Sequence, residues 1–444
     1  MVVENSRDRQ LPQMRFTDFH PGSYSFSFHP NIFLPPLLTT AFSHHHLLHN
    51  HHHHLPPIPD RFENRQMTQL QQSHRVSRTH FLSPDWQSLL RTNVREPAEL
   101  CTILRLPSSV VSLEAAAVQP LNVTRDYLNR IEPGNPSDPL LLQILPRQEE
   151  LKSVLGFSDD PLDESSCIQR TLPASPCVMQ QGCAKNKRSA HDNMFAMPVL
   201  QKYSGRELIL ATDRCAAHCR FCFRRLFPKK KSQPFSLCKP DAKHALISAD
   251  DSKNNDEFGG VREIILSGGD PLMLDDENVQ GLLNYIKDLH PGNRVRLHTR
   301  MPVWLPERMT PQLIEVLRDY RFDPVGGAVY VVLHVNHLNE LSEKVVNAIT
   351  SMIDAGIPVL SQTVLLRNVN DRFETLFDLF EKLADIRVIP YYLHQLDHVQ
   401  GAAHFEVPTA KGQVLVSKLS LTLPGYAVPR YVREIPGESK KARL

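Results

Sequence analysis

Six short β-rich runs, separated by segments of helical period, constrain this chain more than any other feature. The runs are "ELILAT" at 207, "REIILSGGD" at 262, "RVRLHTRM" at 294, "AVYVVLHVN" at 328, "PVLSQTVLL" at 358 and "VIPYYLHQL" at 388. Between them lie stretches such as "ENVQGLLNYIKDLH" and "SEKVVNAITSMIDAG", whose apolar residues recur at three- and four-residue intervals. A helix between two strands carries the chain back across the sheet, so the second strand lies parallel to the first. The alternation predicts an α/β fold with a parallel sheet. By analogy with the full eight-unit barrel, about six units with reactive residues at strand ends suit a partial (βα)6 barrel.

The flanking sequence reads differently. Residues 1–80 are rich in His, Pro and Ser, with "HHHLLHNHHHHLPPIP" at 44–59 and no apolar period, and are expected to form a disordered extension in which the histidine run is an unstructured tract. From "SPDWQSLLRTN" onward, Ser83 or Asp85 can cap a helix whose Trp86, Leu89 and Leu90 share one face, so a small helical unit is expected over 81–163. Residues 164–197 carry Cys167, Cys177 and Cys183 without a clean period or a common ligand spacing, and read as an irregular insertion. "KKKSQPFSLCKPDAKHALISADDSKNNDEFGG" reads as a polar loop, with Cys238 incidental. The barrel proper is expected over 198–423, followed by a C-terminal segment, 424–444.

Composition narrows the function classes. A formal net charge of +2 gives no global pull toward nucleic acid or an anionic membrane, and no run approaches the roughly 18 apolar residues that span a bilayer. "NIFLPPLLTTAF" is apolar but short and is broken by Pro35 and Pro36, so it makes a poor signal peptide, and a cytoplasmic location is expected. In a reducing compartment clustered cysteines hold metal or do redox chemistry more often than they cross-link.

That bears on "DRCAAHCRFCFRRLF" at 213–227, where Cys215, Cys219 and Cys222 stand beside Arg220, Arg224 and Arg225, directly after the first predicted strand. The loop at the C-terminal end of a barrel strand is where such folds do chemistry. A structural zinc site closes with four protein ligands, and the nearest fourth candidate, His218, lies inside the loop, badly placed to share an ion. An iron–sulfur cube held by three thiolates keeps one iron open to an outside ligand.

A C-x3-C-x2-C loop in this position resembles the radical S-adenosylmethionine (SAM) enzymes, and the resemblance narrows further along the chain. "TDRCAAHCRFCFRRLF", "SGGDPL", "HTRMPVWLPERMT", "HVNHLNE", "SQTVLLRNVND", "PYYLHQLDHVQGAAHF" and "PGYAVPRYVREIPGE" resemble, in order, the lysine 2,3-aminomutase family. "RIEPGNPSDPLLLQIL" at 130–145 is similar to its shorter branch, the elongation factor P (R)-β-lysylation proteins. The resemblance runs from about residue 84 to 444 and omits the N-terminal extension and the 164–197 insertion.

The resemblance implies a set of site residues. Cys215, Cys219 and Cys222 would hold a [4Fe-4S] cluster, with Gly268, Gly269, Asp270 and His334 around SAM. Pyridoxal 5′-phosphate (PLP) would be held covalently by Lys441, with Lys440 as the alternative, because Ala442 and Arg443 replace the family's usual Thr-Pro. Lys202, Arg206 and Gln362 would take its phosphate. Arg224 would bind the substrate carboxylate, and Asp397 and Glu434 a cationic side chain, which points to lysine. In that family an electron reaching the cluster cleaves SAM, the resulting 5′-deoxyadenosyl radical takes hydrogen from substrate Cβ, and nitrogen moves from Cα to Cβ. The implied reaction is L-α-lysine to β-lysine, an isomerase activity. Expected partners are lysine, an external electron donor, a ligase acting on elongation factor P and a second copy of the chain; neither nucleic acid nor membrane is among them. Three other readings stay open: an aminomutase for another amino acid, a PLP-independent radical SAM enzyme, and a non-catalytic metal or iron–sulfur protein.

Overall fold

The computed structural model describes residues 85–173, 196–226 and 260–444. Ser83, the histidine run, Cys177, Cys183, Cys238 and most of the two irregular stretches lie outside the described residues.

Ten strands form one sheet in sequence order. They are β1 (Ile168–Pro173), β2 (Ala196–Tyr203), β3 (Arg206–Thr212), β4 (Glu263–Gly268), β5 (Arg294–Thr299), β6 (Val329–His334), β7 (Val359–Val364), β8 (Ile389–His394), β9 (Arg430–Arg433) and β10 (Ala442–Arg443). The six expected strands are β3 to β8, and from β3 to β9 every neighbouring pair is parallel. The sheet is open: β1 and β10 are its two edges, and no closing pair joins them among the described residues.

Both ends of the sheet carry antiparallel additions. β1 pairs with β2, β2 with β3, and β10 with β9. The stretch read as an irregular insertion thus begins with a strand, β1, and its last residues open β2; "IQRTLP" lacks the apolar alternation that would have signalled this. Between β2 and β3 the turn passes through Gly205, whose φ of 69° suits glycine.

The described residues before β1 are helical. The helices are short: α1 (Trp86–Arg91), α2 (Pro97–Leu104), α3 (Leu113–Val118), α4 (Arg125–Leu128) and α5 (Pro139–Leu142). Asp85 caps α1 by accepting from Gln87 N, and Asp138 caps α5 by accepting from the Leu140 and Leu141 N–H groups. Longer helices connect the parallel strands: α6 (Asp276–Leu289) after β4, α8 (Pro311–Phe322) after β5 and the single-turn α7 (Met301–Trp304), α9 (Glu343–Asp354) after β6, α10 (Phe373–Asp385) after β7 and α11 (Thr409–Thr422) after β8. Their inner faces follow the sequence period: Val345, Ala348, Ile349 and Met352 are buried on α9, and Leu376, Leu379, Phe380 and Leu383 on α10. These residues, the strand interiors and Leu100, Leu104, Leu128 and Leu141 of the N-terminal unit share one continuous core, so unit and barrel fold against each other.

Candidate functional site

The strand order brings the site together. The C-terminal ends of β3 to β9 converge on a cavity of about 440 Å³, within the range typical of cofactor pockets. Cys215, Cys219, Cys222, Arg224, Gly268, Gly269, Asp270, His334, Gln362, Asp397, Glu434, Lys440 and Lys441 all line it, as do Lys202 and Arg206. Arg206 sits at the far end of β3 from the cysteine loop, with 50% of its side chain exposed and Glu263 at 3.5 Å, so the cavity runs the length of that strand.

The cysteine loop has few hydrogen bonds of its own and borrows them from the N-terminal unit. Asn122 Nδ2 donates to the carbonyls of Cys215 and Ala216 (3.3 and 3.1 Å), Asn93 Nδ2 to Ala216 O (2.8 Å), and Gln119 Nε2 to Cys219 O (3.1 Å). Of Arg220, Arg224 and Arg225, two are structural. Arg220 and Arg225 are buried and share the carboxylate of Glu150, at 2.7 and 2.5 Å, beneath the loop. Arg224 alone of the three faces the cavity.

The donor set fits an iron–sulfur cube. Burial first, and then the neighbouring sulfurs, push the Cys215 and Cys222 thiols up, Cys222 to about 11; burial also pushes up Cys219. Thiolates there need a bound cation to offset the loss of solvation. Among the described residues no three His, Cys, Asp or Glu side chains converge on a single point. A cube places its thiolates on separate irons, so its ligands need not converge. His218 is turned away, its Nδ1 at 2.8 Å from Pro120 O.

At the end of β4 the glycines are required by the protein's own backbone. A Cβ on Gly269 would lie 2.2 Å from Arg214 O, and one on Gly268, whose φ is 118°, 2.3 Å from Thr212 O. The two glycines therefore let β4 press against the start of the cysteine loop. Asp270 spends its carboxylate locally, accepting from Thr299 Oγ1, Arg300 N and Leu272 N at 2.7–3.0 Å. His334 lies with its Nε2 3.1 Å from Asn336 Oδ1 and its edge against Phe221, and burial and then the nearby Arg300 hold it neutral.

The far wall is charged. Pairing of Ala442 with Arg433 places Lys441 beside Glu434, and their side chains bond. Lys441 Nζ also reaches Tyr203 Oη at 3.4 Å, whereas Lys440 is exposed. Lys202 bridges Glu434 (3.1 Å) and Glu164 (3.0 Å). Burial works against the charge on Glu434, but the Lys441 and Lys202 ammoniums outweigh it and hold its carboxyl well below the usual range. Asp397 goes the other way: burial, and then the Glu434 charge, push it up to about 7.

Glu164 went unnoticed in the sequence. Only 1% of its side chain is exposed, and its two oxygens clamp Arg224 at Nε and Nη2 (2.6 and 2.8 Å), while Arg224 Nη1 donates to Ser267 Oγ and Gly268 O (2.9 and 3.0 Å). A carboxylate of the protein thus already occupies the face of Arg224 that would take a substrate carboxylate. His298 and His394 were also missed. Both are cavity-lining, and each has a buried Nε2 with no hydrogen-bond partner; burial depresses both, His394 to about 3. Two neutral imidazoles with unspent nitrogens, next to Lys441, fit a polar cofactor in the cavity.

The radical SAM superfamily profile matches residues 209–380. The chain is 35% identical over 363 residues to the L-lysine 2,3-aminomutase of Escherichia coli (strain K12), covering 81% of this chain and 94% of the relative. It is 33% identical over 360 residues to the L-lysine 2,3-aminomutase of Buchnera aphidicola subsp. Baizongia pistaciae (strain Bp), covering 80% and 94%. For the L-lysine 2,3-aminomutase of Clostridium subterminale the figures are 31% over 360 residues, 80% and 77%.

Proposed function

This chain belongs to the lysine 2,3-aminomutase family of radical SAM enzymes, an isomerase family, and from that premise we propose that it converts L-α-lysine to β-lysine. The observation that carries the reading is the placement of Lys441: the β9–β10 pairing delivers its amine to the cavity that also holds the three thiols.

When bound, the cluster and SAM would supply a hydrogen-abstracting radical, and PLP an electron sink for the migrating nitrogen. The chain's own residues would hold these groups in register. Cys215, Cys219 and Cys222 would ligate the cluster, with Gly268, Gly269 and His334 bordering SAM and Asp270 shaping that border through Thr299 and Arg300. Lys441 would hold PLP covalently, Lys202, Arg206 and Gln362 would face its phosphate, and His298 and His394 would offer their free nitrogens to the cofactor. Arg224 would release Glu164 and take the α-carboxylate of lysine. Asp397 and Glu434 would meet the ε-ammonium, a pairing that favours lysine over an acidic amino acid. The apolar side chains of Phe221, Leu396 and Val432 in the lining would help keep water from the radical.

The R configuration and onward use by a ligase acting on elongation factor P extend the same proposal and rest on the short-branch resemblance. The test of the PLP assignment is borohydride reduction of the PLP-loaded protein followed by peptide mapping. Label on Lys441 is expected; label on Lys440, or none, would overturn the assignment. Chiral analysis of the product tests the configuration, with the S isomer the contrary result.

A further inference from the structure

Arg300, at the C-terminal end of β5, is not among the residues the cofactors and substrate call for, yet it is a buried, firmly held cation beside the cysteine loop. Its Nη1 donates to Cys219 Sγ at 3.0 Å. Nη2 donates to Gln143 Oε1 (2.6 Å), just beyond α5, and to Glu340 Oε1 (2.8 Å), after β6. The guanidinium lies over the Trp304 ring at 4.3 Å and over Phe221 at 5.6 Å. Glu340 is itself fixed, accepting from Gln143 Nε2 (2.7 Å) and Asn336 N (3.0 Å), and both Glu340 and Gln143 are fully buried. Among the described residues Cys219 is the one of the three cysteines whose sulfur a charged side chain contacts by a hydrogen bond.

This asymmetry has an electrostatic consequence. Adding an electron to an iron–sulfur cluster increases the negative charge on its sulfurs, so a cationic N–H donor at a ligating sulfur stabilises the reduced form more than the oxidised one and raises the reduction potential. A buried donor acts in a low local dielectric, where its field is strong. Glu340 works against it by neutralising part of the Arg300 charge.

We propose that Arg300 is a positioning and tuning residue that raises the potential of the cluster through Cys219, and that Glu340 sets how far. The proposal rests on the reading of Cys219 as a cluster ligand. It assigns Arg300 no contact with the substrate and no proton to transfer. It makes the N-terminal unit part of the redox site, because Gln143 holds the Arg300 fork in the plane that reaches the sulfur.

Two variants of the full-length, anaerobically reconstituted protein separate tuning from structural damage. Arg300→Gln removes the charge and should move the cluster midpoint, read by EPR-monitored titration at matched iron content, to a more negative value. Glu340→Gln keeps an acceptor for Gln143 and Arg300 but removes the opposing charge, and should move the midpoint to a more positive value. Shifts of opposite sign support the proposal; shifts of the same sign, or none in either variant, overturn it. Should Arg300→Gln fail to take up iron because Glu340 is left unpaired, the double variant Arg300→Gln/Glu340→Gln restores charge balance. Its midpoint should lie below that of the unaltered protein, and an equal or higher value would be contrary. A Cys219→Ala protein that keeps a full cluster would overturn the ligand reading beneath the proposal, which is a different failure from an unmoved potential.

Discussion

Glu150 supports the cysteine loop from below, and removing its carboxylate should be the most damaging single change outside the cavity. Its oxygens accept from Arg220 Nε and Nη2 (2.9 and 2.7 Å), Arg225 Nη2 (2.5 Å) and Arg147 N (3.0 Å). The two arginines flank Cys222, and all three charged side chains are 0–1% exposed. Glu150→Ala leaves two guanidiniums buried with no anion between them. Arg220 keeps the carbonyls of Gln119 and Ala115, but Arg225, whose Nε is already unpaired, keeps only backbone oxygens at Nη1. Breaking a buried ion pair by removing one partner costs about 3–5 kcal/mol. One carboxylate serves both arginines here, so the upper figure, about 5 kcal/mol, applies. At roughly 1 °C per kcal/mol for a chain of 444 residues, the unfolding midpoint should fall by roughly 5 °C. The control is Glu315→Ala, which breaks an exposed pair with Arg318 (63% and 45% exposed) and should cost under ~0.5 kcal/mol, about 0.5 °C. Differential scanning calorimetry of the two variants at one scan rate provides the comparison, with iron per chain after reconstitution as a second readout. Equal midpoints, or full iron uptake by Glu150→Ala, would refute the role given to the triad.

Three further outcomes follow from the cavity. Cys219→Ala should take up little iron and cleave no SAM under reducing conditions, while Lys441→Ala should keep its iron and lose the visible absorbance of bound PLP. Asp397, raised to about 7 by burial and then by Glu434, holds a proton in the folded protein that the unfolded chain, at its ordinary value of 3.8, gives up. This carboxyl therefore lowers stability as pH climbs from about 4 to 7 and is flat above that. Binding a lysine ammonium requires the charged form, so KM for lysine should rise roughly tenfold per pH unit below about 7, and Asp397→Asn should abolish that slope; a slope that survives in Asp397→Asn would assign it to another group.

Local patterns carried much of this architecture, and long-range contacts carried the rest. The strands β3 to β8 were legible because each is a compact apolar run bounded by a helical period. The thiol triplet was legible because its three cysteines lie within eight residues of one another. Lys441 could be placed beside the cavity only through resemblance, because nothing in "ESKKARL" announces that the tail returns as β10 beside β9. Glu164 gave no signal: it is one of four carboxylates in "SDDPLDESS", a stretch without period, and its partner Arg224 is 60 residues away. Arg220 and Arg225 neighbour the thiols in sequence, yet the ion-pair partner that buries them comes from the N-terminal unit. Arg300 and Glu340 likewise meet only in the folded protein, each of them an ordinary charge in the segment after a strand when read alone.

The most direct measurement of the central proposal is the reaction itself. The full-length protein, reconstituted without oxygen with iron, sulfide, PLP and SAM, is given L-α-lysine and dithionite, and the amino acids are resolved by chromatography. β-Lysine should form, and its formation should require SAM, PLP and Lys441. An enzyme with full iron and bound PLP that leaves lysine unchanged while rearranging another amino acid would contradict the substrate assignment, and one that forms β-lysine without Lys441 would contradict the site.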